Sequence, residues 1–164
     1  MTARAPTTKV SRETRGINFQ RVIGSPQDIE TLYELLRMRE NGISHVSMPT
    51  RASHRKFVLS HPYRFWYIVE ETGVALGSLY FHFDNSIGIS MPGQSSAMTR
   101  ATLSQALALH KPLKGVKSVR SSHFFVNVRP GDHVLRRALM DLGWGTLQVT
   151  YAAINKPSLG AKCV

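Results

Sequence analysis

Between Asn85 and His110 the sequence sets a short apolar run, Ile87-Gly88-Ile89-Ser90-Met91, before a loop of small and polar residues, Pro92-Gly93-Gln94-Ser95-Ser96-Ala97-Met98. The loop opens directly into an amphipathic helix expected over Thr99–His110. A strand that passes through such a loop into a helix aims several backbone N–H groups, and the positive end of the helix dipole, at one spot. That spot suits a diphosphate, and the same pattern also describes an ordinary strand–helix connection. The histidines are spread more thinly. His54 and His61 stand seven apart, and with His110, His123 and His133 they show no metal-ligand spacing. No metal is expected. The basic run Lys111, Lys114, Lys117 and Arg120 follows the helix and fits either a phosphate group or a solvated face.

The elements that must position these residues belong to a chain of 164 residues, which is one domain by size. Its formal charge is +11. Part of that lies in the termini, yet fifteen Lys and Arg against nine Asp and Glu remain between residues 17 and 154. A basic surface attracts nucleic acid, acidic proteins and phosphorylated ligands alike. No aromatic-and-basic signature of a known nucleic-acid module accompanies it. No apolar run reaches the roughly 20 residues that span a bilayer, so no membrane partner is expected. The N-terminal stretch is basic with no apolar segment behind it, and the one cysteine, Cys163, sits beside the C-terminus. Together these predict a cytoplasmic protein without disulfides. Nothing in the sequence fixes the oligomeric state, a dimer included.

Residues 1–16 have few large apolar side chains and are expected to be a flexible basic arm, and residues 155–164 a flexible tail. The domain proper is expected over 17–154. Ile17–Ile23 alternates as a first strand, and Gly24-Ser25-Pro26 breaks it, with Ser25 as N-cap and Pro26 at the first helical position. Ile29, Leu32, Tyr33 and Leu36 make one apolar stripe over the helix Gln27–Arg39. Pro49-Thr50 opens a short second helix. Arg64–Glu70, Val74–Phe83 and Ser86–Met91 read as an antiparallel meander. After the helix at Thr99–His110, Val119–Val128 is a strand, Asp132 caps a helix ended by Gly143, and Trp144–Ile154 is a last strand. The predicted fold is mixed α/β: a mostly antiparallel sheet of about six strands with helices on both faces.

In this order the pieces resemble the GNAT superfamily of acyl-CoA-dependent N-acyltransferases. The likeness covers residues 17–154 and rests on three places: Trp66-Tyr67-Ile68-Val69 with its return Gly77-Ser78-Leu79-Tyr80; Ile87–Met91 with the loop and helix; and Phe125-Val126-Asn127-Val128 through Leu142-Gly143-Trp144. The resemblance implies acetyl-CoA as cofactor and an amine acceptor. It implies that Gln94-Ser95-Ser96-Ala97-Met98-Thr99 is the loop whose N–H groups bind the coenzyme A pyrophosphate. Ala97 and Thr99 stand where the family has small residues, usually glycine, and a loop without glycine makes left-handed backbone costly. Asn127 matches the family's strand-five Asn beside the pantetheine arm, although it also suits a cap for the turn at Arg129-Pro130.

Acyl transfer requires a deprotonated amine, a polarised carbonyl and a protonated leaving group. The resemblance puts the carbonyl donor on the fourth strand, among Ile89, Ser90 and Met91. The family's Glu base has no counterpart in residues 85–91, and Leu139 stands where its Tyr acid would be. His82 is the expected base, since imidazole titrates near neutral pH, with Tyr151 as a distant acid candidate. Tyr80, on the face of His82, and His45 and Ser47, after the first helix, are expected to line the acceptor pocket. The alternative function is a catalytically degenerate GNAT-fold protein that binds nucleic acid or a protein through its basic surface.

Overall fold

A computed structural model describes residues 16–39 and 48–149. Five strands, β1 (Ile17–Arg21), β2 (Phe65–Glu71), β3 (Val74–Phe81), β4 (Ser86–Ser90) and β5 (Phe125–Val126), lie in the order of the chain. The first four pair antiparallel and β5 joins β4 in parallel. The helices are α1 (Pro26–Arg37), α2 (Arg51–Leu59), α3 (Ser96–Leu109) and α4 (His133–Asp141). The architecture is therefore a mixed α/β fold with an open, mostly antiparallel sheet.

Strand alternation divides the core in two. Trp66 and Ile68 point to one face, where they meet Leu32 and Leu35 of α1 and Val58 of α2. Val69, Leu79, Phe81 and Ile87 point to the other, against Leu103 and Ala106 of α3 and Leu135 and Leu139 of α4. Helices thus cover both faces. Local chemistry starts each of them. Ser25 Oγ accepts from the Asp28 N–H at 3.0 Å while the Asp28 carboxylate accepts from the Ser25 N–H at 3.1 Å, a reciprocal cap with Pro26 beside it. Asp132 Oδ1 caps α4 through the Leu135 N–H at 2.9 Å, and Gly143, at φ +78°, ends it.

Three sequence expectations are corrected. The described residues hold five strands, not about six: Trp144 to Val149 form none, and the remainder of that expected strand, 150–154, lies outside the described residues. The strand expected over Val119–Val128 shrinks to Phe125–Val126, because residues 116–120 close a tight turn through the Val116–Arg120 bridge, with Ser118 at φ +61°. The third helix starts at Ser96 rather than Thr99. Ser95 is its N-cap, with Oγ accepting from the Met98 N–H at 3.2 Å, and Thr99 turns inward, its hydroxyl donating to the Ser95 carbonyl at 3.0 Å.

Burial of imidazoles makes this fold sensitive to acid. His54 of α2 is buried and its Nε2 lies 3.1 Å from the Ile29 carbonyl of α1. His110 stacks on Phe65 at 4.3 Å, with its Nε2 3.0 Å from the Tyr67 hydroxyl. Burial holds both, and His61, below the ordinary histidine value; at His110 the Arg64 and Arg21 charges add to it. A folded-state pKa below the unfolded one means that the unfolded chain binds more protons in the window between the two. The stability from these neutral rings is therefore complete above about pH 6.5 and is lost as pH falls below it. The lowered carboxyls, Asp84 and Glu30, act only at lower pH. A thermal midpoint that drops by several degrees between pH 7.5 and pH 5 is expected; a flat profile in differential scanning fluorimetry contradicts it.

Candidate functional site: a fork between the fourth and fifth strands

The parallel ladder between β4 and β5 is short. Asn85 O accepts from the Phe125 N–H at 3.2 Å, and the paired residues are Ser86 with Phe125 and Ile87 with Val126. β4 then continues to Ser90 while β5 stops. Because N–H and C=O groups alternate sides along a strand, those of Ile89 face the β5 side beyond the last rung. The fork opens into a cleft of about 280 Å³. Residues Ile89–Gln94 line it, as do Asp132, Val134 and Leu135 of the α4 N-terminal turn, Thr99 and Arg39. A larger hollow of about 410 Å³ runs along α2, lined by Ala52, Arg55, Lys56, Leu59 and Ser60. It gathers residues of a single helix surface, whereas the fork brings a strand, a loop and two helix N-termini together, which makes the fork the candidate site.

The first turn of α3 presents backbone donors. Met98 and Thr99 give their N–H groups to Ser95, which leaves the Ser96 and Ala97 N–H groups of the first turn without an intrahelical acceptor. Gly93 takes the left-handed conformation at φ +69°, and no residue from Gln94 to Thr99 does. Ala97 and Thr99 therefore carry no backbone strain, since both positions are helical. Ala97 is exposed and Thr99 is buried, so neither side chain fills the space before the helix end.

On the other face of β4 stands an aromatic wall. Tyr80 pairs across from Gly88, and a Cβ at Gly88 would lie 1.9 Å from Tyr80 Cζ. The phenol therefore covers the backbone one residue from Ile89, and only glycine leaves room for it. The Tyr63 ring stacks on Tyr80 at 3.9 Å and 11°. Burial first, then the neighbouring Tyr80 phenol, push the Tyr63 hydroxyl well above the usual tyrosine range, so it stays protonated. A Gly88→Ala variant is expected to lose about 1–3 kcal/mol of stability, from overpacking. In a Tyr80→Ala background the same change is expected to cost far less. Equal losses in both backgrounds, by urea denaturation, would rule out the contact as the cause.

The expected site residues separate as follows. Ile89, Ser90, Met91, Gln94 and Thr99 line the fork; Ser95, Ser96, Ala97 and Met98 form the adjoining helix start. Asn127 is exposed, the first residue past β5. His82 stands apart: its N–H bonds to Ser86 O, three residues and about 10 Å along β4 from Ile89. Its Nδ1 lies 3.6 Å from Asp84 Oδ1, too long for a hydrogen bond. Burial works against the Asp84 carboxylate, but its hydrogen bonds to Ser86 outweigh that and hold its carboxyl below the usual range. His45, Ser47 and Tyr151 lie outside the described residues. Sequence reasoning missed Tyr63, Arg39 and the significance of Gly88. A glycine inside an apolar strand signals a close approach, whereas Tyr63 follows a proline in what reads as plain loop. Among the described residues no three His, Cys, Asp or Glu come together as metal ligands. No family model, no curated protein and no solved structure matches the chain.

Proposed function

We propose that this chain is a GNAT-type N-acyltransferase that moves an acetyl group from acetyl-CoA to a primary amine. The carrying observation is the fork: the end of β4, paired with β3 but beyond the reach of β5, faces a cleft beside the N-terminus of a 14-residue helix. Acetyl-CoA, when bound, supplies an acetyl group already activated as a thioester. The Ser96 and Ala97 N–H groups, with Gln94, would hold its diphosphate. The Ile89 N–H would be the hydrogen-bond donor to the thioester carbonyl, and Asn127, just past β5, would border the arm of the bound group. Tyr80, opposite Gly88, would be the residue to give a proton to a thiolate leaving group there, the role for which Tyr151 is the candidate in the sequence. His82 takes the amine proton through water, in keeping with its distance along the strand. Tyr80 and Tyr63 wall the acceptor pocket.

Calorimetric titration with acetyl-CoA tests this function, with micromolar binding expected. No heat and no thermal shift at millimolar coenzyme A would refute it. A rival, a GNAT-fold protein without catalysis, draws on the absence of an acid in residues 85–91 and of a tyrosine at Leu139. It is separated by turnover: bound acetyl-CoA with no thiol release to any amine favours the rival.

A further inference from the structure

At the end of the sheet opposite the fork, apolar and basic side chains project together. Phe83, Leu109, Val116 and Val119 are 55%, 63%, 44% and 76% exposed. Phe83 sits on the β3–β4 turn and Leu109 ends α3, while Val116 and Val119 belong to the tight turn closed by the Val116–Arg120 bridge. Arg120 ties these pieces together, donating from Nε to Lys114 O at 2.9 Å and from Nη1 to Phe83 O at 3.3 Å. Buried Asn85 fixes the base of the turn, its amide bonded to Leu113 O and Ser121 O. The apolar tips are thus held on a built support.

Cations surround them. Arg21 and Arg64 lie over the Phe65 ring at 5.1 and 4.8 Å, and Arg64 donates to Lys111 O at 3.1 Å. Lys114, Lys117 and Arg120 continue the series along the turn. Among the described residues none of these six is in an ion pair with a carboxylate. The three arginines are held by carbonyls and an aromatic face, which orient their charge without cancelling it. Asp84 is the acid on the neighbouring turn, and it faces His82.

We infer that this pole docks on the surface of an anionic phospholipid bilayer, with Val116, Val119, Phe83 and Leu109 entering the headgroup layer and the cations meeting lipid phosphates and carboxylates. Apolar area and attraction to anionic lipid together drive such adsorption. Three aliphatic side chains at the tip favour lipid over nucleic acid, whose bases are gripped by aromatic stacking and polar groups. A second copy of the chain is disfavoured because like charges would face each other. No helix among the described residues is long and apolar enough to cross a membrane, a limit on spanning that leaves adsorption open. The pole and the fork occupy opposite ends of the sheet, so either function can fail alone.

Sedimentation of the full chain with phosphatidylcholine vesicles containing phosphatidylserine at about 30 mol% tests the inference. Binding is expected to these vesicles and not to pure phosphatidylcholine, and to weaken at high salt. Lys114→Glu with Lys117→Glu should lower partitioning at least about tenfold, and Val116→Ser with Val119→Ser at least about fivefold. All four side chains are exposed, and circular dichroism checks that the variants fold. No binding to the anionic vesicles overturns the proposal. So does wild-type binding by the serine variant, which would assign the attraction to charge elsewhere, the basic N-terminal residues included. Retention of a single-stranded oligonucleotide without vesicle binding overturns it in favour of nucleic acid.

Discussion

An Ala97→Glu variant is expected to lose acetyl-CoA binding by more than about 100-fold while its thermal midpoint stays level or rises. The two effects have one cause. Ala97 is exposed in the first turn of α3, where the Ser96 and Ala97 N–H groups lack intrahelical acceptors. A carboxylate there interacts favourably with the helix dipole, worth roughly 0.3–1 kcal/mol to the helix. The same carboxylate occupies the site meant for a diphosphate and repels it. Steric blockage is distinguished by Ala97→Lys, a side chain of similar reach and opposite charge, which should retain or tighten binding. Titration calorimetry on the two variants, with melting curves beside it, gives the answer. Equal loss in both would assign the effect to bulk, and unchanged affinity in Ala97→Glu would remove the α3 N-terminus from the cofactor site.

What could be read from the sequence was mostly what is local. Ser25-Pro26, Thr50, Asp132 and Gly143 announce helix ends because capping uses groups within a few residues of one another. The meander was legible from β-prone runs separated by short turns. The start of α3 was displaced because Ser95 and Thr99 are both good N-cap types, and the choice depends on the core: Thr99 is 2% exposed and packs inward. β5 was overestimated because Val119–Val128 is rich in β-formers, whereas a side chain about thirty residues upstream, Asn85, holds the preceding segment in a turn. The site shows the same division. The loop lies between β4 and α3 as its residue types suggest, while the helix begins three residues earlier, at Ser96. His82 looked nearest the chemistry only by residue type; the hairpin register sets Tyr80, not His82, across from the residue beside Ile89. The GNAT resemblance stays a proposal, since pattern and order carry it.

Asn85→Ala is expected to cost about 3–5 kcal/mol, a large share of the 5–15 kcal/mol that holds a typical domain together. Asn85 is fully buried and sits at φ +71°, a conformation that asparagine tolerates and alanine does not. Its Nδ2 donates to Leu113 O at 2.8 Å and to Ser121 O at 2.7 Å, and its Oδ1 accepts from the Leu113 N–H at 2.7 Å. Alanine would leave three backbone groups without these partners and add left-handed strain. Glycine separates the two causes: Asn85→Gly removes the strain but still lacks the three bonds, so it should recover about 1 kcal/mol of the deficit. Asn85→Asp keeps an acceptor for Leu113 but turns a carboxylate oxygen toward carbonyls, so it should be destabilised too, and less so in acid. Consequences for function follow from connectivity. The Asn85 carbonyl is also the first partner of β5, through Phe125. Loosening the turn at 113–121 should therefore loosen the β4–β5 junction from which the fork opens. Urea unfolding should show the stability loss, and acetyl-CoA affinity should fall in every variant that remains folded. Full stability in Asn85→Ala would mean that the turn needs no tether. Loss of stability with undiminished affinity would separate the junction from the site.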